Sequence, residues 1–132
     1  MDVDDEAITA MQELGLEAHE PTSFVGLSSG SPQPTFDMIF GSFSFHFHFE
    51  DTFLEAIHRS LTPATGLLVF NFISQDSLDM FGKLSFFSSK GLNLRVLKGP
   101  NFATREYLAI FSSNVQSLRH EAFDQIEQGS FL

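Results

Sequence analysis

The run Leu67-Leu-Val-Phe-Asn-Phe-Ile73 is apolar at every position except Asn71. A strand of this kind buries side chains on both faces, so it belongs inside a sheet covered by helices, as in parallel α/β proteins. Its neighbours agree. Phe36 to Phe43 reads as a second buried strand with Asp37 just inside its start. Between the two, Glu50 to Leu61 places Phe53, Leu54, Ile57, His58 and Leu61 on one side of a helix, which Thr62-Pro-Ala-Thr-Gly66 closes. Ser77 to Ser88 is a predicted helix, Leu92 to Leu97 and Arg105 to Ser112 are predicted strands, and Asn114 to Gln128 is a final helix with Val115, Leu118, Ala122 and Ile126 on its inner stripe. Only seven residues separate the last two strands, too few for a helical crossover, so they should pair antiparallel.

The N-terminal third is different in character. Asp5 to Gly15 reads as an amphipathic helix with Ile8, Met11 and Leu14 at three-residue spacing and acids in its first turn. Ser23 to Leu27 reads as a short strand, and Ser28-Ser-Gly-Ser-Pro-Gln-Pro34 as a loop. Between Asp2 and Glu55 there are eleven carboxylates and no Lys or Arg, whereas from Ala56 onward six acids face seven bases. The net charge of −10 repels phosphate backbones, which argues against nucleic acid and favours a basic protein partner. No apolar run approaches the ~18–20 residues that cross a bilayer, and Met1 to Glu13 is acidic where a secretory leader is basic. A cytoplasmic location away from membranes is therefore expected. With no cysteine, thiolate metal sites and disulfides are excluded. The chain also carries 17 Phe with one Tyr and no Trp, more bulky apolar surface than so short a chain can fully bury.

Several strings carry a more specific signal. They are Asp2-Val-Asp-Asp-Glu-Ala-Ile8, Phe36-Asp-Met-Ile-Phe40, the closing hairpin around Asn101 to Phe111 and, most specifically, Phe53-Leu-Glu-Ala-Ile-His-Arg-Ser-Leu-Thr-Pro63 with Gly66-Leu-Leu-Val-Phe-Asn71. In this order they resemble the second strand, the fourth strand, the final hairpin, and the helix and fifth strand of class I S-adenosylmethionine-dependent methyltransferases, nearest the spermidine-synthase-like subgroup. The resemblance covers residues 1 to 113. It implies an α/β fold with a partial Rossmann-like sheet, mostly parallel, ending in an antiparallel hairpin and lacking the first strand. Residues 1–132 would form one partial domain: an acidic helix and loop over 1–35, a sheet core over 36–113, and a C-terminal helix and tail over 114–132. The implied cofactor is S-adenosylmethionine, with the Asp2 carboxylate on its ribose hydroxyls, and the implied activity is methyl transfer to a protein lysine or N-terminus.

The departures shape the expectation further. The family's Gly-rich turn, where only glycine lets the backbone approach the ligand, has no counterpart here, so cofactor binding should be impaired and the chain reads as a truncated product or isoform. Gly41-Ser42-Phe43 carries no acid where the spermidine-synthase subgroup has one, which makes aminopropyl transfer improbable. No catalytic base is assigned. Losing the first strand would leave the Phe36–Phe43 strand at an open edge, a route to self-association. Phe43-Ser-Phe-His-Phe-His-Phe49 alternates strictly, and by resemblance it borders the acceptor, so Phe43, Phe45, His46 and His48 are the substrate-side candidates. His46 and His48 with Glu50 nearby could supply a facial metal site, but no further ligand follows at convincing spacing, and a half-buried strand extension is the plainer reading. The competing function is a non-catalytic interaction domain that uses the 43–49 segment and the open edge.

Overall fold

The computed structural model describes residues 5–15, 19, 21–30, 33–42, 45, 49–73 and 77–129. They divide into two compact units, one drawn from Met1–Thr35 and Glu50–Ser60, the other from Phe36–Phe49 and Leu61–Leu132.

The first unit is helical. α1 spans Asp5–Glu13 and buries Ile8, and Gly15 beyond it takes a left-handed φ of 80°. α2 spans Pro21–Ser28, which corrects the strand expected at Ser23–Leu27. Thr22, Phe24 and Val25 favour extended chain locally, but proline at the first helical position is preorganised for a helix. Packing decides it: Phe24 is buried and meets Phe53 edge-on at 6.1 Å. Phe53 belongs to α3, Asp51–Arg59, which buries Phe53, Leu54 and Ile57 as the spacing predicts, and Ala56 beside them, while His58 is half-buried. The end of α2 is tied to α3 as well. Arg59 donates to the hydroxyls of Ser28 and Ser29 at 3.1 and 3.3 Å, and the Gln33 amide donates to the Arg59 carbonyl at 2.8 Å.

The second unit holds a four-stranded sheet: β1 (Met38–Gly41), β2 (Leu67–Ile73), β3 (Asn93–Leu97) and β4 (Glu106–Ser112), in spatial order β1-β2-β4-β3. The α/β class and the closing antiparallel hairpin are as expected. The balance of directions is not: β1 and β2 are parallel, while β4 lies antiparallel to both β2 and β3. Only one of the three ladders is therefore parallel. The apolar run of β2 is explained by its position, with a strand on each side and side chains packed on both faces.

On one face, Phe70 and Phe111 lie 6.1 Å apart, and Phe87 of α4 (Ser77–Ser89) approaches Phe111 at 5.5 Å. On the other, Val69, Ile110 and Leu97 form a core with Leu118 and Phe123. Those last two come from a broken C-terminal segment, a 3₁₀ turn at Val115–Arg119 followed by α5 at Glu121–Gln128, and not from the single helix expected. Leu118 and Phe123 are five apart, about 140° around a continuous helix, so one straight helix cannot aim both at the sheet. His120 breaks it with an extended φ/ψ of −61°/139° and accepts the Ala122 N–H on its ring nitrogen as the N-cap of α5. Val115, expected on the inner stripe, is exposed in consequence.

Arg95 of β3 clamps this segment. It donates to the Leu118 carbonyl at 2.7 Å, pairs with Asp124 at 2.7 Å and reaches Glu127 at 3.4 Å. Replacing it by Met keeps the apolar stem but leaves the Leu118 carbonyl unpartnered by Arg95. Arg95→Met is expected to cost about 1–2 kcal/mol in a urea unfolding curve, and an unchanged midpoint would show the clamp to be energetically idle.

Candidate functional site

Ligands of α/β sheets sit outside the carboxyl ends of the parallel strands. The candidate site is therefore the end of the sheet where β1 stops at Gly41 and β2 at Ile73. Antiparallel pairing brings the start of β4 to the same end, with Phe72 opposite Tyr107 and Ile73 opposite Glu106. The Phe72 and Tyr107 rings stack at 5.7 Å. Lys98 lies with its ammonium 5.3 Å from the Tyr107 ring centre and 5.9 Å from that of Phe102. It donates to the Glu106 carbonyl at 2.9 Å and to the Ala103 carbonyl, which pins the hairpin loop.

Beyond β1 the chain returns to the core at Phe45. Its ring is 4% exposed and lies parallel to Phe70, 4.2 Å between centroids and 7° between planes. The Phe45 carbonyl accepts from the ammonium of Lys83, which is only 2% exposed and stands 5.2 Å from the Phe49 ring centre. A buried ammonium demands such acceptors, because an unpaired charge out of water is very costly. Lys83 was not singled out from sequence. Its signal was faint but present: it is the only cation in α4, set between Gly82 and Leu84. Both ammoniums donate to backbone carbonyls, so they fix the chain around this end of the sheet.

Of the residues expected here, Phe45 is placed at this end of the sheet with its ring turned into the core. Asp2, Phe43, His46 and His48 lie outside the described residues. Asn71 is half-buried two positions before the end of β2, opposite Leu108, so alternation turns it to the α5 face, away from Phe70 and Phe72. Asp37 accepts the Thr62 hydroxyl at 2.9 Å, a structural tie. Among the described residues no three His, Asp or Glu side chains gather as metal ligands, and no helix is long and apolar enough to cross a membrane.

No family model matches the chain, and no curated protein does. Solved structures do. A TehB-like S-adenosylmethionine-dependent methyltransferase from Corynebacterium glutamicum is similar at 25% identity and a TM-score of 0.59, over 84% of this chain and 65% of its own. The fold is that of S-adenosylmethionine-dependent methyltransferases. Human methyltransferase-like protein 13, in complex with S-adenosylhomocysteine, shares this methyltransferase fold at 17% identity and a TM-score of 0.56, over 86% of this chain and 60% of its own. The chain thus spans less than two thirds of the length of either structure.

Proposed function

We propose that this chain is a methyltransferase-like domain of an S-adenosylmethionine-dependent protein methyltransferase, acting on a lysine or N-terminal amine, and that the stretch of chain present here binds the cofactor weakly. The observation that carries the reading is the likeness over 84% of the chain to the TehB-like enzyme at 25% identity. The Phe53–Asn71 string supports the spermidine-synthase-like subgroup, and it also resembles the C-terminal domain of methyltransferase-like protein 13. Weak cofactor binding is supported by the absence of any G-x-G in the 132 residues. The excess of carboxylates before Ala56 favours a basic protein acceptor, and the aromatic end of the β1–β2 pair would border it, with Phe43, His46 and His48 nearest in sequence. Asp2 would hold the ribose. A cytoplasmic setting fits such an acceptor.

The test is thermal unfolding with and without millimolar S-adenosylmethionine. Saturation a hundredfold above the dissociation constant would add ~2.7 kcal/mol and raise the midpoint by several degrees. The expected result is a reproducible rise smaller than that, abolished by Asp2→Ala. A flat midpoint would remove cofactor binding from the reading.

One observation favours a second function, that of a non-catalytic interaction domain. Among the described residues β1 is an edge strand, with Met38 and Phe40 55 and 60% exposed along it and Phe36, just before it, 40% exposed. Phe45, being buried, adds nothing to that surface.

A further inference from the structure

α4 buries one stripe, Met80, Lys83 and Phe87, at helical spacing. A lysine thus stands where the stripe calls for an apolar side chain. For stability alone a Met would serve that position as well, because the desolvation of an ammonium often exceeds what its bonds return. The ammonium does meet particular groups. It donates to the Phe45 carbonyl and stands 5.2 Å from the Phe49 ring centre, and the Phe45 and Phe49 rings themselves lie edge-on, 5.7 Å apart. One charge on α4 therefore reaches two points of the connection between β1 and α3, the backbone at Phe45 and the ring at Phe49.

We infer that Lys83 is a positioning residue, whose ammonium fixes the chain beyond β1 at Phe45 and Phe49, beside the candidate site. Its part in methyl transfer rests on the proposed function, in which this connection lies on the acceptor side. The aromatic stack does not do the same work. Phe70 places the Phe45 ring, whereas the Phe45 carbonyl is buried and needs a donor of its own. Without the ammonium that carbonyl loses a charged donor, and lifting the chain into water replaces it. Packing of the Phe45 ring opposes the lift, so the charge decides between a seated and a lifted connection while β2 and β4 stay paired.

Because the chain has no cysteine, Lys83→Cys supplies a single thiol that can be alkylated in denaturant before refolding. Bromoethylamine returns an ammonium at lysine's length, and propyl bromide puts a methyl group at the same point. The two forms differ in charge and hydrogen bonding and hardly in shape. Brief chymotrypsin treatment of the folded chain, read by mass spectrometry, compares cleavage after Phe45 with cleavage after Phe70, which is fully buried inside the sheet and opens only with it. The propyl form should be cut after Phe45 at least about 10-fold faster than wild type, with cleavage after Phe70 unchanged, and the aminoethyl form should match wild type. Lys83→Met, made directly, should behave as the propyl form, and it decides by the same ratio if the alkylated chains do not refold. Equal cleavage of the charged and neutral forms would overturn the inference. So would cleavage after Phe70 that rises in step with Phe45, the sign of a lysine that merely stabilises the sheet. A midpoint left flat by S-adenosylmethionine would remove the part in methyl transfer and leave the cleavage ratio standing, so the two readings fail separately.

Discussion

Replacing Gly66 with alanine is expected to lower the unfolding free energy by about 3 kcal/mol, seen as a fall in the urea midpoint with little change in slope. The reason is space and not backbone freedom. A Cβ on Gly66 would stand 2.7 Å from the Thr62 carbonyl oxygen, 2.8 Å from the Thr62 nitrogen and 3.1 Å from the Leu61 Cβ. Two of those atoms are backbone, and the turn cannot open without breaking the hydrogen bond from the Gly66 N–H to the Thr62 carbonyl at 2.8 Å. The next bond along, from the Leu67 N–H to the Asp37 carbonyl, sets the register of β2 on β1, so the strain passes directly into the sheet. The same turn supplies a control of opposite sign. Ala64 is held at φ 68°, a left-handed conformation that costs an L-residue roughly 1 kcal/mol and glycine almost nothing. Ala64→Gly should be neutral or stabilising. If both substitutions destabilise alike, the turn is merely sensitive and the steric account of Gly66 fails.

That turn also shows how far the sequence could be read. Thr62-Pro-Ala-Thr-Gly66 announces a chain reversal, and the reversal is there. Which residue takes the left-handed conformation is not legible, because glycine would be the natural choice and the close approach of Leu61 and Thr62 gives the role to Ala64. β2 was readable to the residue, since a strand inside a sheet writes its burial into consecutive positions. α2 was not, because Thr22, Phe24 and Val25 favour strand locally, and the contact of Phe24 with Phe53 decides for the helix that Pro21 permits. The final helix misled for a related reason. Helical spacing at Leu118, Ala122 and Ile126 is genuine, but Phe123 also needs the sheet, and His120 breaks the helix so that both Leu118 and Phe123 reach it. At the candidate site, the alternation over Phe43–Phe49 marked a segment with two faces. It did not mark Phe45 as core, because the ring that claims it, Phe70, is far away in sequence. Lys83 stayed hidden because burial of a lone lysine depends on a carbonyl from another segment, which no local pattern encodes.

Phe70→Ala should have the largest effect of any single truncation in the sheet, about 3–5 kcal/mol, or a thermal midpoint lower by roughly 10–20 °C. Phe70 is fully buried on β2, stacked at 4.2 Å on Phe45, 6.1 Å from Phe111 and 6.4 Å from Phe72. Removing it empties the centre of one face, and a typical domain has only about 5–15 kcal/mol to lose. The total does not isolate the stack, so the sharper measurement is a double-mutant cycle with leucine at Phe45 and Phe70, which keeps most of the volume. Parallel rings in close contact contribute ~0.5–1.5 kcal/mol beyond their area, and the cycle should return a coupling in that range. Phe111 with Tyr107, on the same strand but without a close ring contact between them, should give a coupling near zero. A coupling at Phe45–Phe70 means that the core fixes the chain beyond β1 at Phe45, one of the residues expected beside an acceptor. That point of departure would then be as rigid as the sheet, and changes at Phe45 would act on the site through packing. Zero coupling would instead reduce Phe45 to buried area, while Lys83 of α4 still holds that segment through the Phe45 carbonyl and the Phe49 ring.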